Sequence, residues 1–240
     1  MVDPGSDAIR HETVDRTAAP LRRSVVEALR QSIVLGRLVP GSRLIERELI
    51  EMMEVSRTVV REALRQLEAE GLIDVVANKG AIVRNLSRAE AKDLYAIRAV
   101  LEGLAARLFA ERADKATRDD LAANLAVTAR AYDDGDPANI VEAKNAFYAT
   151  LFAGAGSGTL SQMIDALQAR VWRWRVLGVG HPQRSGGRSA EAVRDLEALV
   201  AAIDAGDQAA AERIARAEVM NAANEALRLI GEDEPASQSR

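Results

Sequence analysis

With 240 residues, 48% apolar and 28% charged, the chain can build a sizeable core or a small and a medium domain, in the balance of a globular protein. Zero cysteines exclude disulfides, thiol nucleophiles and thiolate metal sites, and fit a reducing compartment. A formal net charge of −4 argues against indiscriminate polyanion binding but leaves room for a local basic face. No apolar run approaches the roughly 20 residues that span a bilayer. The opening Met1-Val-Asp-Pro-Gly-Ser-Asp7 lacks a basic-then-apolar signal pattern, so a cytoplasmic protein without a membrane partner is expected.

Residues 1–18 are polar and aperiodic, which predicts a mobile arm. From Pro20, the run Leu21, Val25, Val26, Leu29, Ile33 and Val34 has helical period and stops near Gly36. Val39-Pro-Gly-Ser-Arg-Leu44 is a turn by its Pro-Gly pair. A short helix follows over Glu46–Met53, with Leu49, Ile50 and Met53 inward, and a tight turn at Glu54-Val55. The next stretch, Val55 to Gly71, carries an apolar stripe of Val60, Ala63, Leu64 and Leu67 beside Arg57, Arg61 and Arg65 at every fourth position.

Such a basic row, with Ser56 and Thr58 at its first turn, suits the major groove. Arginine grips guanine edges bidentately, while hydroxyls and helix N-terminal amides hold phosphates. The same row also fits a solvated helix whose arginines pair with Glu62 and Glu68. After Gly71, two short β-branched runs, Leu72–Val76 and Ala81–Arg84, flank Ala77-Asn-Lys-Gly80 and predict a hairpin. Helix, helix, turn, helix, hairpin is the order of a winged helix-turn-helix.

Three phrases, Pro40-Gly-Ser-Arg-Leu-Ile-Glu-Arg-Glu-Leu49, Val55-Ser-Arg-Thr-Val-Val-Arg-Glu-Ala-Leu-Arg-Gln-Leu67 and Glu70-Gly-Leu-Ile73, closely resemble the N-terminal domain of GntR-family bacterial transcription regulators. Two positions depart from it: Glu54 stands where the family usually has glycine, and Val59 where proline is common. The resemblance implies DNA contacts from Arg47, from Ser56, Arg57, Thr58 and Arg61, and from a wing tip of Asn78, Lys79 and Gly80 entering the minor groove.

Ser87 with Glu90 makes a capping box, and every segment from there to about Ile230 reads helical. Leu94, Arg98, Leu101, Ala105 and Leu108 share one side of the first helix. Thr117 with Asp120 opens the second; Asp136-Pro137 opens the third, which carries Ile140, Phe147 and Leu151. Gly154-Ala-Gly-Ser-Gly158 is a break before a helix with Leu160, Met163, Leu167, Val171 and Trp174. Gly178–Gly187 reads as a loop; Val193, Leu196, Val200 and Ile203 mark the next helix, ending at Gly206. Asp207 caps a last one through Leu229.

The expected class is mainly α: a winged helix-turn-helix with a small hairpin wing, then an all-α antiparallel bundle. The divisions are an arm (1–18), a DNA-binding domain (19–86), a helical effector-binding and dimerisation domain (87–231) and a disordered tail (232–240).

The phrases Leu94-Tyr-Ala-Ile-Arg-Ala-Val-Leu-Glu102 and Ala202-Ile-Asp-Ala-Gly-Asp207 look like the effector-binding domain of the FadR subfamily. That resemblance implies a homodimer on a pseudo-palindromic double-stranded operator, and a pocket for a small organic acid or an acyl-CoA. Many members bind a divalent metal through one carboxylate and three histidines. The corresponding positions are Lys144, Tyr148, Leu196 and Glu218, none of them histidine. With His11 and His181 the only histidines, and no cysteine, a His-rich transition-metal site cannot be built, and no cofactor is expected.

Arg98 and Lys144 interrupt apolar stripes, and a cation on a buried face is costly unless paired. Both can receive an effector's anionic group, with Tyr148 adding a hydroxyl, or close internal salt bridges such as Lys144 with Glu218. Arg98 is read as the effector's receptor and the Lys144–Glu218 pair as a bridge, while Leu196 and Trp174 are read as core. The leading function is an effector-responsive transcription regulator, usually a repressor. A second keeps DNA binding with the bundle as a dimerisation module only. An enzyme would need a catalytic His constellation, a Cys nucleophile or a phosphate-cradling loop after a strand, and the sequence offers none.

Overall fold

The computed structural model describes residues 18–34, 37–181 and 183–231. The expected arm through Thr17, with His11, and the tail 232–240 lie outside them. The chain divides into two compact units after Asn85.

The first unit comprises α1 (Ala18–Val34), β1 (Arg43–Leu44), α2 (Glu46–Met53), α3 (Arg57–Ala69), β2 (Ile73–Val76) and β3 (Gly80–Val83). Its core forms where the periodic apolar residues meet: Val25, Val26 and Leu29 of α1, Leu49 of α2, and Val59, Val60, Ala63, Leu64 and Leu67 of α3 are all buried. Each such side chain contributes about 1.5–3 kcal/mol when it leaves water completely. Leu21, expected inside, is 50% exposed, because the 17-residue α1 outruns the 13-residue α3 on which it packs. Ile33, Ile50 and Met53 are only half-buried. Arg30 clamps the end of α3, its Nη2 lying 2.7 Å from Glu70 Oε1 and 2.9 Å from Oε2.

The wing is a three-stranded antiparallel sheet in the order β1-β3-β2, with Leu44 opposite Ala81 and Val76 opposite Gly80. The two-residue β1 is too short to leave a period-2 signal, so sequence reasoning read it as turn. Asn78 (φ 65°) and Gly80 (φ 79°) adopt left-handed conformations, which asparagine tolerates and glycine takes freely.

The second unit contains α4 (Arg88–Arg112), α5 (Lys115–Asp134), α6 (Pro137–Gly154), α7 (Gly158–Gly180), α8 (Arg188–Asp204) and α9 (Gln208–Gly231). Helix α4 is central, packing on α9, α7, α6 and α8. Its start is the capping box read from the sequence: Ser87 Oγ accepts from Glu90 N, and Glu90 Oε2 accepts from Ser87 N at 3.1 Å. Helix α5 begins earlier than expected, because Asp114 is the residue whose carboxylate accepts from Thr117 N, at 2.8 Å. Asp136 caps α6, with Pro137 at the first helical position, where its missing N–H costs nothing. Helix α7 runs through Gly178 to Gly180, shortening the expected loop. On α7, Met163 is exposed and Ile164 fills the core instead, a shift of one position in the apolar stripe. Phe109, Phe147, Leu151 and Leu196 centre the main core, and Trp174 packs with Tyr95 and Val171 in a second cluster.

Candidate functional site

The α2–α3 turn is closed by Glu54, whose backbone is left-handed (φ 53°, ψ 40°). This conformation favours glycine, so the resemblance's glycine and this chain's glutamate occupy one backbone shape. Ser56 then caps α3, its Oγ accepting from Val59 N at 3.3 Å. The hydroxyl keeps its own proton for a phosphate oxygen. The first intrahelical bond runs from Val60 N to Ser56 O, so the amides of Arg57 and Thr58 lie ahead of the ladder, at the positive end of the helix dipole.

Arg57, Arg61 and Arg65 are all exposed on the face away from the buried Val60, Ala63, Leu64 and Leu67. Their partners differ. Arg61 Nε lies 3.0 Å from Glu46 Oε2, and Arg65 Nη1 lies 2.6 Å from Glu62 Oε1. Among the described residues, neither Arg57 nor Arg47 (exposed on α2) has an ion-pair partner. The two solvent-facing pairs are worth about 0–1 kcal/mol each and can exchange their acids for phosphates. Val59, in place of the resemblance's proline, is buried at the base of the helix. At the wing, Asn78, Lys79 and Gly80 are exposed, and the turn is closed by Lys79 N donating to Val76 O at 3.0 Å.

In the second unit the effector candidates come together around a cavity of about 50 Å³. Lys144 Nζ donates to Glu218 Oε1 at 2.7 Å, and Tyr148 Oη donates to Glu218 Oε2 at 2.5 Å. Burial pushes the Glu218 carboxyl up, but the Lys144 charge and the two hydrogen bonds outweigh it and hold the group at about 2. For Lys144, burial lowers the ammonium's pKa and Glu218 more than restores it, a net rise. Burial, reinforced by the neighbouring Glu218, lifts the Tyr148 phenol well above its ordinary value. Leu196 is fully buried in the main core.

Arg98 is buried and already engaged: its Nη2 lies 2.6 Å from Glu102 Oε1, one helical turn along α4. Glu102 Oε2 is buried with no hydrogen-bond partner among the described residues. Sequence reasoning missed Glu102, Arg175, Arg184, Arg188 and Glu225, of which all but Glu102 line the cavity directly. A signal existed for three of them. Glu102 lies four residues beyond Arg98, Arg175 four beyond Val171, and Arg188 continues backward the spacing of Ala192 and Leu196. Arg184 and Glu225 carried none. Glu225 is held at about 2 by the Arg228 hydrogen bond and by donation from Ser185 N and Oγ.

The arrangement can grip a nucleic-acid backbone at one unit and hold buried anionic chemistry at the other. Among the described residues no helix is long and apolar enough to cross a membrane.

Comparison with known proteins agrees with both halves. The model of the bacterial regulatory proteins of the gntR family matches residues 21–83, and the FCD domain model matches residues 93–220. The chain is 29% identical over 204 residues to a probable D-xylose utilization operon transcriptional repressor of Paenarthrobacter nicotinovorans, covering 83% of this chain and 88% of that one. It is 47% identical over 74 residues to the Nta operon transcriptional regulator of Aminobacter aminovorans, a match spanning 31% of this chain and 35% of that regulator. In fold it resembles Escherichia coli McbR/YncC, with a TM-score of 0.74 and 23% identity over 89% of this chain and 99% of that one. The chain therefore belongs to the GntR family of bacterial regulatory proteins, with a helix-turn-helix followed by an FCD domain, and is a DNA-binding transcription regulator rather than an enzyme.

Proposed function

We propose that this regulator is a homodimer that docks two α3 helices on a pseudo-palindromic operator and releases or tightens its grip when a small acid enters the FCD cavity. The observation that carries the DNA half is the exposed, N-capped row of Arg57, Arg61 and Arg65, with Arg57 unpartnered among the described residues. Arg47, Ser56 and Thr58 would contact phosphates beside it, and Asn78, Lys79 and Gly80 the adjacent minor groove. Repression is the action named for the Paenarthrobacter relative, and we extend it to this chain as a proposal.

The effector half rests on Arg98, Lys144, Tyr148 and Glu218 converging on one buried cavity. The donor set does not fit a divalent metal: the one carboxylate is taken by an ammonium that repels a cation, and Leu196 offers no ligand atom. An acid that recruits Arg98 or Lys144 must displace Glu102 or Glu218, and that exchange would give the differential affinity an effector needs to shift a two-state equilibrium. Dimerisation is supported by Ile97 and Val100, exposed together on α4.

One observation favours the reading in which the bundle only dimerises: about 50 Å³ holds a few water molecules, and both Arg98 and Lys144 are internally paired. Operator binding followed by fluorescence anisotropy, with and without a panel of organic acids and acyl-CoAs, separates the two. A ligand-dependent change in affinity supports the effector reading; an invariant affinity with every acid leaves the dimerisation module.

A further inference from the structure

The cavity's charge inventory is lopsided. Five cationic side chains line it, Arg98, Lys144, Arg175, Arg184 and Arg188, against the carboxylates Glu218 and Glu225. Counting Glu102, which takes Arg98, still leaves two more cations than carboxylates. The carboxylates are also the better satisfied side. Glu218 receives Lys144 and Tyr148; Glu225 receives Ser185 and, from outside the lining, Arg228.

Arg188 is the cation least provided for. It is buried at the first position of α8, and its Nη1 has no hydrogen-bond partner among the described residues. Its acids, Asp195 and Glu191, stand at 3.8 and 3.9 Å, beyond hydrogen-bond reach, and Glu191 is 56% exposed. Arg184 Nε is likewise buried without a partner. A guanidinium taken from water and left short of an acceptor is expensive, and a fork of donors facing a cavity matches a carboxylate or phosphate.

We infer that this cavity is the receptor for a compact dianion, a short dicarboxylate or a phosphate group, with Arg188 as the guanidinium that receives it. The inference rests on the effector reading above and narrows it: a surplus of two positive charges calls for two negative ones, and the small volume excludes a long acyl chain. No metal is required, because the cations are the protein's own.

The test is isothermal titration calorimetry of the full chain with matched pairs, malonate against propionate, succinate against butyrate and glutarate against pentanoate. Inorganic phosphate and octanoyl-CoA complete the panel. At least one of the dicarboxylates or phosphate should bind tenfold or more tightly than the monocarboxylates, and which one does so identifies the source of the dianion. Arg188→Met should weaken that binding at least tenfold and Arg188→Lys by less, with far-UV circular dichroism checking the fold. Should Arg188→Met not fold, Arg184→Gln and the wild-type pairs carry the test.

If the monocarboxylates bind as well as their dianionic partners, or Arg188→Met binds the dianion like wild type, the dianion receptor is overturned while the effector reading survives. If no anion or acyl-CoA binds to folded, operator-competent protein, both fall together.

Discussion

Lys144 Nζ lies 2.7 Å from Glu218 Oε1, joining α6 to α9 through a bridge almost wholly removed from water. Desolvating two charges costs several kcal/mol each, and the pair is tolerated because Tyr148 satisfies the second carboxylate oxygen. Removing one partner should therefore hurt more than removing both charges. Lys144→Met should lower unfolding free energy by about 3–5 kcal/mol. The double variant Lys144→Met with Glu218→Gln, which keeps an acceptor for Tyr148, should recover most of it, as denaturant melts will show.

The same bridge fixes a pH window. Glu218 sits at about 2 against an ordinary 4.5, so its contribution is full above about 4.5 and is lost as pH falls toward 2. Lys144 is raised above its ordinary 10.5, so its contribution is full below 10.5 and is lost only beyond its own higher value. Stability measured against pH should lose this contribution in acid in the wild type, and the double variant should lack it. Equal acid slopes in both would reject the assignment.

At the DNA-binding helix, Arg57 and Arg61 should behave differently. Arg57→Ala should weaken operator binding by roughly 1–3 kcal/mol and relax sequence preference. Arg61 is held by Glu46 at 3.0 Å across a solvent-exposed gap. Glu46→Gln should release it and remove a negative charge near the phosphates, tightening binding several-fold at low salt and less at high salt. Gel-shift titrations at two ionic strengths check both. Unchanged affinity and preference for Arg57→Ala would exclude that contact.

Much of this was legible in the sequence, for identifiable reasons. Periodicity placed the buried faces of α1, α3 and α8, and the Ser87–Glu90 and Asp136-Pro137 signals marked helix starts because caps are local chemistry. The Lys144–Glu218 bridge could be proposed because two opposite charges interrupted apolar stripes. What escaped was non-local. Strand β1 exists only through its pairing with β3, and Arg184 reaches the cavity from the short segment between α7 and α8, where no periodicity points inward.

Glu54 offers a direct test of local strain. A residue other than glycine at φ 53° costs roughly 1–2 kcal/mol from its Cβ, partly offset in glycine by extra unfolded-state entropy. Glu54→Gly should thus stabilise the DNA-binding unit by about 0.5–1 kcal/mol, whereas Glu54→Val should destabilise it. A lower melting temperature for Glu54→Gly would contradict the turn geometry.

Gly154 and Gly158 share one glycine-rich segment but not one role. A Cβ at Gly154 would stand 2.3 Å from Cε2 of the fully buried Phe109, whereas at Gly158 nothing lies within 4 Å. Gly154→Ala should cost about 1–3 kcal/mol by overpacking, and Gly158→Ala should be near neutral or stabilising. Similar melting points for the two variants would remove Gly154 from the core.

The proposed dimer can be tested on α4. Ile97 and Val100, each 49% exposed, lie three residues apart on one face beside the half-buried Leu101 and Leu104. An exposed apolar pair at that spacing suits burial against a second copy, and because neither side chain is in the core, charging them leaves the bundle intact. Ile97→Glu with Val100→Glu should therefore sediment as a folded monomer where the wild type sediments as a dimer. Linking two half-site contacts raises avidity by about 10²–10⁴-fold, so operator affinity should fall by a comparable factor while single half-site binding is retained. A double variant that remains dimeric would show that the subunits meet elsewhere, and a monomer with undiminished operator affinity would show that the paired recognition helices are not needed.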